Sequence, residues 1–217
     1  TPLMKAFVDA GHSVWIVGGA VRDVIRKTTP ADYDLVTTAN NQQACDILVT
    51  AGAVIYMNKF GVIHSNARIP GSKEKTIQVQ VCTLTVPTIE QDLLKRDFTI
   101  NACALDHEFK FSCEKAEVFY HHIVANKPLQ CPGSPLHMFK DDPIRILRMY
   151  RFSQALGLEI ETSVRQAARD ISPFLRVCAK ERVLAELIKI MQGKNTSQIL
   201  RMMMEDGVLQ QIIPELA

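Results

Sequence analysis

Apolar and polar positions along this chain change period near its middle. In the first half, short helical patterns around residues 3–10, 20–27 and 41–51 alternate with β-like runs at 14–17, 33–37, 54–57, 62–69 and 76–84. The helical spacing is plainest in Ala44, Ile47, Leu48 and Ala51, which fall on one side of a 3.6-residue helix. The strand signal is plainest in the last run, where Ile77, Val79 and Val81 alternate with Gln78, Gln80 and Cys82, the two-residue period of a half-buried strand. From Pro143 onward the period is helical throughout, punctuated by Gly157, Pro173, Gly193 and Gly207. The pattern predicts an α+β head, a mixed sheet with helices over it, followed by an all-helical domain. The boundary is placed at 138/139, after an irregular connecting stretch (106–138) that carries Pro128, Pro132, Gly133 and Pro135.

At 217 residues and 47% hydrophobic composition, the chain has ample material for a core. No window is long and apolar enough to cross a membrane, and no charged-then-apolar leader opens the sequence. Thr1 rather than Met stands first, which suits a fragment. Six cysteines with no C-x-x-C spacing point to reduced thiols and a cytoplasmic setting rather than a disulfide frame or a zinc site. His121, His122 and His137 read as ordinary loop histidines. The net charge of +2 is too small to imply a nucleic-acid partner by itself.

Chemistry concentrates in three places. Strand 14–17 runs into Gly18-Gly19 and then a helix carrying Arg22, an arrangement that brings backbone N–H groups close to an anion. Asp32 and Asp34, two residues apart on a strand, project to the same side. Paired carboxylates on one face suit Mg²⁺ when water and phosphate oxygens complete its shell. The ordinary alternatives are a tight turn at the glycines and an exposed turn or helix cap around Thr37 to Asn40. In Lys95-Arg96-Asp97-Phe98-Thr99-Ile100-Asn101, a guanidinium can neutralise phosphate while Asp97 and Asn101 can bond sugar hydroxyls; a surface salt bridge would use the same residues.

The third place is Asp142-Pro143-Ile144-Arg145, followed by Arg148 and Arg151. Pro143 fits a first helical turn with Asp142 as its N-cap. Asp142 and Arg145 share a helix face, and a carboxylate with a guanidinium can read a base edge. Positions three apart drift by about 60° per step. Arg148 and Arg151 are therefore better placed for phosphate, RNA backbone or neighbouring structure.

Taken in order, Val17-Gly18-Gly19-Ala20-Val21-Arg22-Asp23, Asp32-Tyr33-Asp34, Arg96-Asp97-Phe98-Thr99-Ile100-Asn101, Asp142 to Arg148 with Arg151-Phe152, and Glu181-Arg182 through Glu186-Leu187 to Lys189-Ile190 resemble the class II tRNA nucleotidyltransferase (CCA-adding) and bacterial poly(A) polymerase family. The resemblance implies a polymerase β-like nucleotidyltransferase head and a helical neck. It implies an enzyme that uses Mg²⁺ on Asp32 and Asp34 to add C and/or A from CTP and ATP to the 3′ end of tRNA. Gly18, Gly19, Arg22 and Arg96 would hold the triphosphate, with Asp97 near the ribose and Asn101 beside it. Asp142 and Arg145 would pair with the incoming base, Arg148 and Arg151 would complete the pocket, and Glu181 and Arg182 would brace the template helix. Poly(A) polymerase and a non-catalytic RNA-binding module are the alternatives.

Departures from the family pattern carry information of their own. Gln80-Val81-Cys82-Thr83-Leu84-Thr85 lacks the acidic residue and the arginine usual there. The flexible loop usual between Thr85 and Asp92 is missing, a loss associated with enzymes that add only the two cytidines. The family's hinge pattern is unrecognisable near 119–125. The sequence stops after Pro214-Glu215-Leu216, where a helical body and tail would continue; a reduced variant and a part of a longer chain both remain open.

Overall fold

Residues 76–83 form a strand whose apolar alternates go to one face of a sheet and whose amides go to the other: Val79 and Val81 are buried while Gln80 is half-exposed. The computed structural model describes residues 2–59, 61–68 and 76–216. They divide into two compact units, residues 1–125 and 126–217, a division that falls ahead of the boundary expected at 138/139.

The first unit is built on strands β1 (Val14–Val17), β2 (Asp32–Thr37), β3 (Val54–Lys59), β4 (Val62–Arg68), β5 (Thr76–Thr83) and β6 (Ala104–Leu105). Their order is β3-β4-β5-β2-β1-β6. β2 and β5 run parallel and the other neighbours antiparallel, so the sheet is mixed. Helices α1 (Pro2–Asp9), α2 (Gly19–Ile25), α3 (Asn41–Thr50), α4 (Ile89–Leu94) and α5 (Glu114–Val124) accompany it. Met4 and Phe7 of α1 and Ala44 and Leu48 of α3 are buried, α1 and α3 pack together, and α3 lies on β4 and β5. Burying a side chain the size of Met4, Phe7 or Leu48 contributes about 1.5–3 kcal/mol. That apolar side includes Leu35, Ile63, Val79 and Val81, which leaves Asp32, Asp34 and Gln80 on the opposite side.

Local chemistry explains several boundaries. Asn40 caps α3 through a reciprocal capping box with Gln43, both bonds 2.9 Å, which satisfies two donors the helix would otherwise leave open. Thr88 caps α4 by accepting from Gln91 N–H. The β4 pattern ends at Arg68; Ile69, read as its last residue, lies outside the described residues.

The stretch 106–138 is not irregular throughout. It contains α5, with Ala116, Phe119 and Ile123 buried, so His121 and His122 stand on a helix rather than a loop. His137 lies likewise in α6 (Pro135–Asp141), whose first turn carries Pro135 behind Ser134.

The second unit continues with α7 (Ile144–Leu156), α8 (Thr162–Ile171), α9 (Lys180–Met191), α10 (Thr196–Glu205) and α11 (Leu209–Ile212). α7 is its central element, with Ile146, Leu147, Met149 and Tyr150 all fully buried. It ends at Gly157, whose φ of +66° is the left-handed cap that glycine adopts without penalty. Asp206 closes the core: its buried carboxylate accepts from Tyr150 Oη at 2.8 Å, from Arg165 Nε at 2.8 Å and from Arg169 Nε at 2.7 Å. Met203 is buried and Met204 exposed. All six cysteines are free. No helix among the described residues is long and apolar enough to cross a membrane.

Candidate active site

β1 and β2 pair so that Val17 stands opposite Asp34, and the chain leaves β1 directly into Gly18. There φ is +73°, a conformation open to glycine and strained for other residues. A Cβ at this position would lie 3.3 Å from Arg96 Nη1 and 3.4 Å from Asp34 Oδ2. The backbone of residue 18 therefore forms the wall against which a carboxylate and a guanidinium converge. Asp32 and Asp34 lie beside Gln78 and Gln80 of β5, and Gln80 Nε2 donates to Asp32 Oδ2 at 3.3 Å.

Each guanidinium of this unit's candidate set is held. Arg96 lies just past the end of α4 and donates through Nε and Nη2 to Asp92 Oδ2, at 3.0 and 2.9 Å. Arg22 donates through Nε to Asp23 Oδ1 at 2.8 Å and through Nη1 to Asn101 Oδ1 at 2.7 Å. Asn101 in turn donates to Asp97 Oδ1 at 3.0 Å, an atom that also accepts from Phe98 N–H at 2.8 Å. Asp97 and Asn101 are both buried. In this geometry they hold Arg22 in place, a task distinct from the sugar contact suggested by their residue types.

Asp92 and Asp23 escaped the sequence reading as site members. The spacing of Asp92 and Arg96 at i,i+4 was available as a signal; the link from Arg22 to Asn101, 79 residues apart, was not. Cys82 adjoins the same groups. Burial pushes its thiol pKa above the ordinary value and the charge of Asp34 adds to this, with Arg96 pulling the other way. It remains a neutral thiol at pH 7 rather than a nucleophile.

Among the described residues no group of three or more His, Cys, Asp or Glu is arranged to hold a metal. The Asp32 and Asp34 pair offers hard oxygen donors from one side only, beside a glycine wall that leaves room for a ligand. That donor set fits a Mg²⁺ ion whose other ligands are water and phosphate.

In the second unit, Asp142 accepts from Ile144 N–H through Oδ1 at 3.3 Å and from Arg182 Nη2 through Oδ2 at 2.7 Å. Pro143 rather than Asp142 is the N-cap of α7, and Asp142 ends α6, so the first bond is a local contact across the α6–α7 junction; the second ties α9 to the start of α7. The same contact raises the Arg182 pKa further. Arg145 Nη1 donates to the Met138 carbonyl at 3.3 Å. The guanidinium carbons of Arg148 and Arg151 lie 5.3 and 4.1 Å from the centroid of the Phe152 ring, within cation–π range.

Arg151 also donates to Glu186 Oε2 at 2.6 Å, and Lys189 bonds the other oxygen at 3.0 Å. Burial raises the Glu186 pKa, but the charge of Arg151 and the bonds from Arg151 and Lys189 outweigh it and leave the group below its ordinary value. Of the expected brace, Arg182 touches Asp142 while Glu181 is exposed. It is Glu186 that engages α7.

Two family models match the chain: the poly(A) polymerase head domain over residues 14–118, and the "probable RNA and SrmB-binding site of polymerase A" over 157–217. The CC-adding tRNA nucleotidyltransferase of Shouchella clausii is 34% identical over 206 residues, covering 92% of this chain and 50% of that protein. Poly(A) polymerase I of Haemophilus influenzae is 27% identical, covering 95% of this chain and 49% of that one. The Thermotoga maritima CCA-adding enzyme, solved in complex with tRNA, superposes with a TM-score of 0.81 at 24% identity, over 98% of this chain and 51% of that chain. This last likeness carries the fold: a mixed-sheet α+β head followed by helices, as the sequence pattern predicts. The chain spans about half the length of the curated relatives it matches.

Proposed function

Since the chain belongs to the class II tRNA nucleotidyltransferase and poly(A) polymerase family, we propose that it carries the head and neck of a template-independent RNA nucleotidyltransferase. It adds C and/or A from CTP and ATP to the 3′ end of tRNA, in the cytoplasm, with Mg²⁺ as cofactor. The observation that carries this reading is the convergence of Asp34 and Arg96 on the Gly18 backbone, where a Cβ would lie 3.4 and 3.3 Å from them.

Asp32 and Asp34 are the residues that would hold the metal. When bound, it supplies positive charge that favours ionisation of the RNA 3′-hydroxyl and stabilises departing pyrophosphate. The attacking oxygen forms a bond to the α-phosphorus as the α–β phosphoanhydride bond breaks. Arg96, pinned by Asp92, and Arg22, pinned by Asp23 and Asn101, present guanidinium donors to the triphosphate in fixed orientation. Groups fixed beforehand need little rearrangement as charge moves onto pyrophosphate. Glycine at 18 lets phosphate approach the main chain. In the neck, Asp142 and Arg145 read the base edge. Asp142 keeps acceptor capacity beyond its bonds to Ile144 and Arg182, since an ionised carboxylate has about four lone-pair sites.

Similarity to the CC-adding protein and the short 85–92 segment favour addition of two cytidines. Similarity to a poly(A) polymerase keeps that activity as the second reading. The test offers the protein Mg²⁺ and a tRNA ending at its discriminator base, with CTP alone, ATP alone, then both. Two cytidines and a halt identify CC addition, a finished CCA identifies the full activity, and runs of adenosine identify poly(A) synthesis. Absence of any incorporation refutes the proposal.

A further inference from the structure

Gln80 occupies the position where a third acidic residue would complete the carboxylate cluster, and its amide is not idle there. It stands beside Asp34 in the parallel ladder, on the face shared with Asp32, and its Nε2 donates to Asp32 Oδ2 at 3.3 Å. Glutamine matches glutamate in shape but contributes a neutral donor instead of a charge. Two consequences follow from chemistry alone. The bond occupies one lone pair of Asp32 and restrains that carboxylate, and the cluster carries two negative charges where three would fit.

A divalent ion held by oxygen ligands binds more tightly as the number of charged ligands rises. We propose that Gln80 is a positioning residue that orients Asp32 and limits the charge of the site, so that the protein alone holds a divalent ion weakly and is filled together with the triphosphate. The inference rests on the nucleotidyl-transfer reading for the identity of the second ligand set, the phosphate oxygens. It does not rest on catalysis having occurred.

Mn²⁺ serves as the probe, with free ion counted by electron paramagnetic resonance during titration of the protein, Gln80→Glu, Gln80→Leu and Asp34→Asn, each with and without CTP. Without nucleotide, Gln80→Glu is expected to bind Mn²⁺ about tenfold more tightly than the parent, because a third charge faces the ion at short range. Gln80→Leu should bind about two- to threefold more weakly, having lost the restraint on Asp32. CTP should tighten binding to the parent more than to Gln80→Glu.

Equal affinity of the parent and Gln80→Glu overturns the proposal, and so does unchanged binding by Asp34→Asn, which would put the ion elsewhere. Thermal unfolding guards against a folding artefact: three crowded carboxylates should lower the melting temperature of Gln80→Glu, and Mn²⁺ should restore it. A loss that Mn²⁺ does not restore also counts against the idea. Nucleotide incorporation is measured separately. Mn²⁺ affinities in the expected order without incorporation would refute the activity and sustain the role of Gln80.

Discussion

Replacing Arg182 by alanine separates base selection from stability. Arg182 is more than half exposed, with 56% of its side chain accessible against 27% for Asp142. Pairs of this kind contribute about 0.2–1 kcal/mol to stability. The melting temperature should therefore fall by no more than about 2–4 °C. Selectivity should change much more. With Arg182 gone, Asp142 keeps its bond from Ile144 N–H at 3.3 Å and loses the one that fixes its second oxygen. A bidentate side-chain–base pair discriminates by about 1–3 kcal/mol; losing half of that is about two- to twelvefold. The informative competitor is UTP, since cytosine presents an amino donor to Asp142 where uracil presents a carbonyl acceptor. The kcat/KM ratio for CTP over UTP is compared in the parent, Arg182→Ala and Arg182→Lys, the last retaining charge without the planar fork. An unchanged ratio in a folded Arg182→Ala refutes the template role of Asp142. A drop of more than about 10 °C in melting temperature shows instead that Arg182 is structural.

Gly18→Ala should cost about 1–3 kcal/mol from the positive φ alone and should reduce incorporation more than tenfold, because the methyl group displaces Arg96 and Asp34; unfolding and single-turnover assays check the two parts. Asp206→Ala should destabilise the second unit by about 2–3 kcal/mol. Tyr150 loses its buried acceptor, whereas Arg165 and Arg169 are exposed enough to rehydrate. Burial alone would raise the Asp206 pKa, yet the bonds from Arg165, Tyr150 and Arg169 leave it lowered. Its stabilisation is thus fully present above the unfolded value near 3.9 and fades as pH falls below that. The gap between parent and Asp206→Ala melting temperatures should accordingly narrow below about pH 4. Nucleotide affinity, read by calorimetry, should fall at least tenfold when a chelator removes divalent ions; affinity independent of them would contradict the metal assignment.

How much of this was legible in the sequence depended on the range of the interaction. The β5 alternation, the Asn40 cap, the Pro143 turn and the shared side of Asp32 and Asp34 are all set within a few residues. α5 and β6 are different. The run Glu117-Val118-Phe119-Tyr120-His121-His122-Ile123-Val124 mixes aromatic and β-branched residues that suit either element, and packing decides for the helix. β6 is two residues long and exists because Leu105 and Ala104 meet Ile16 and Val17, a pairing no local period announces. Similarly, Arg22 read as a phosphate ligand and Arg151 as suited to phosphate, RNA backbone or neighbouring structure, with no partner named for either. Their partners, Asn101 and Glu186, lie 79 and 35 residues away.

Those distant partners change the electrostatic argument. Arg96 faces Asp92 and Arg22 faces Asp23, so each cation carries a carboxylate at 2.9 and 2.7 Å. Paired in this way, the two guanidiniums contribute directed hydrogen bonds more than net positive charge, and a nucleoside triphosphate brings about four negative charges at neutral pH. Asp32 and Asp34 add two more of the same sign. Fixed donors can select the shape of a triphosphate, but they do not offset that repulsion. On the proposed function, a divalent ion held by Asp32 and Asp34 would supply the balance, and the neutral amide at position 80 would lower the repulsion to be offset. If the proposal holds, arginine orientation and the charge-limited carboxylate pair would be two parts of one arrangement: the protein would supply geometry, and the nucleotide and its ion would arrive together with the charge.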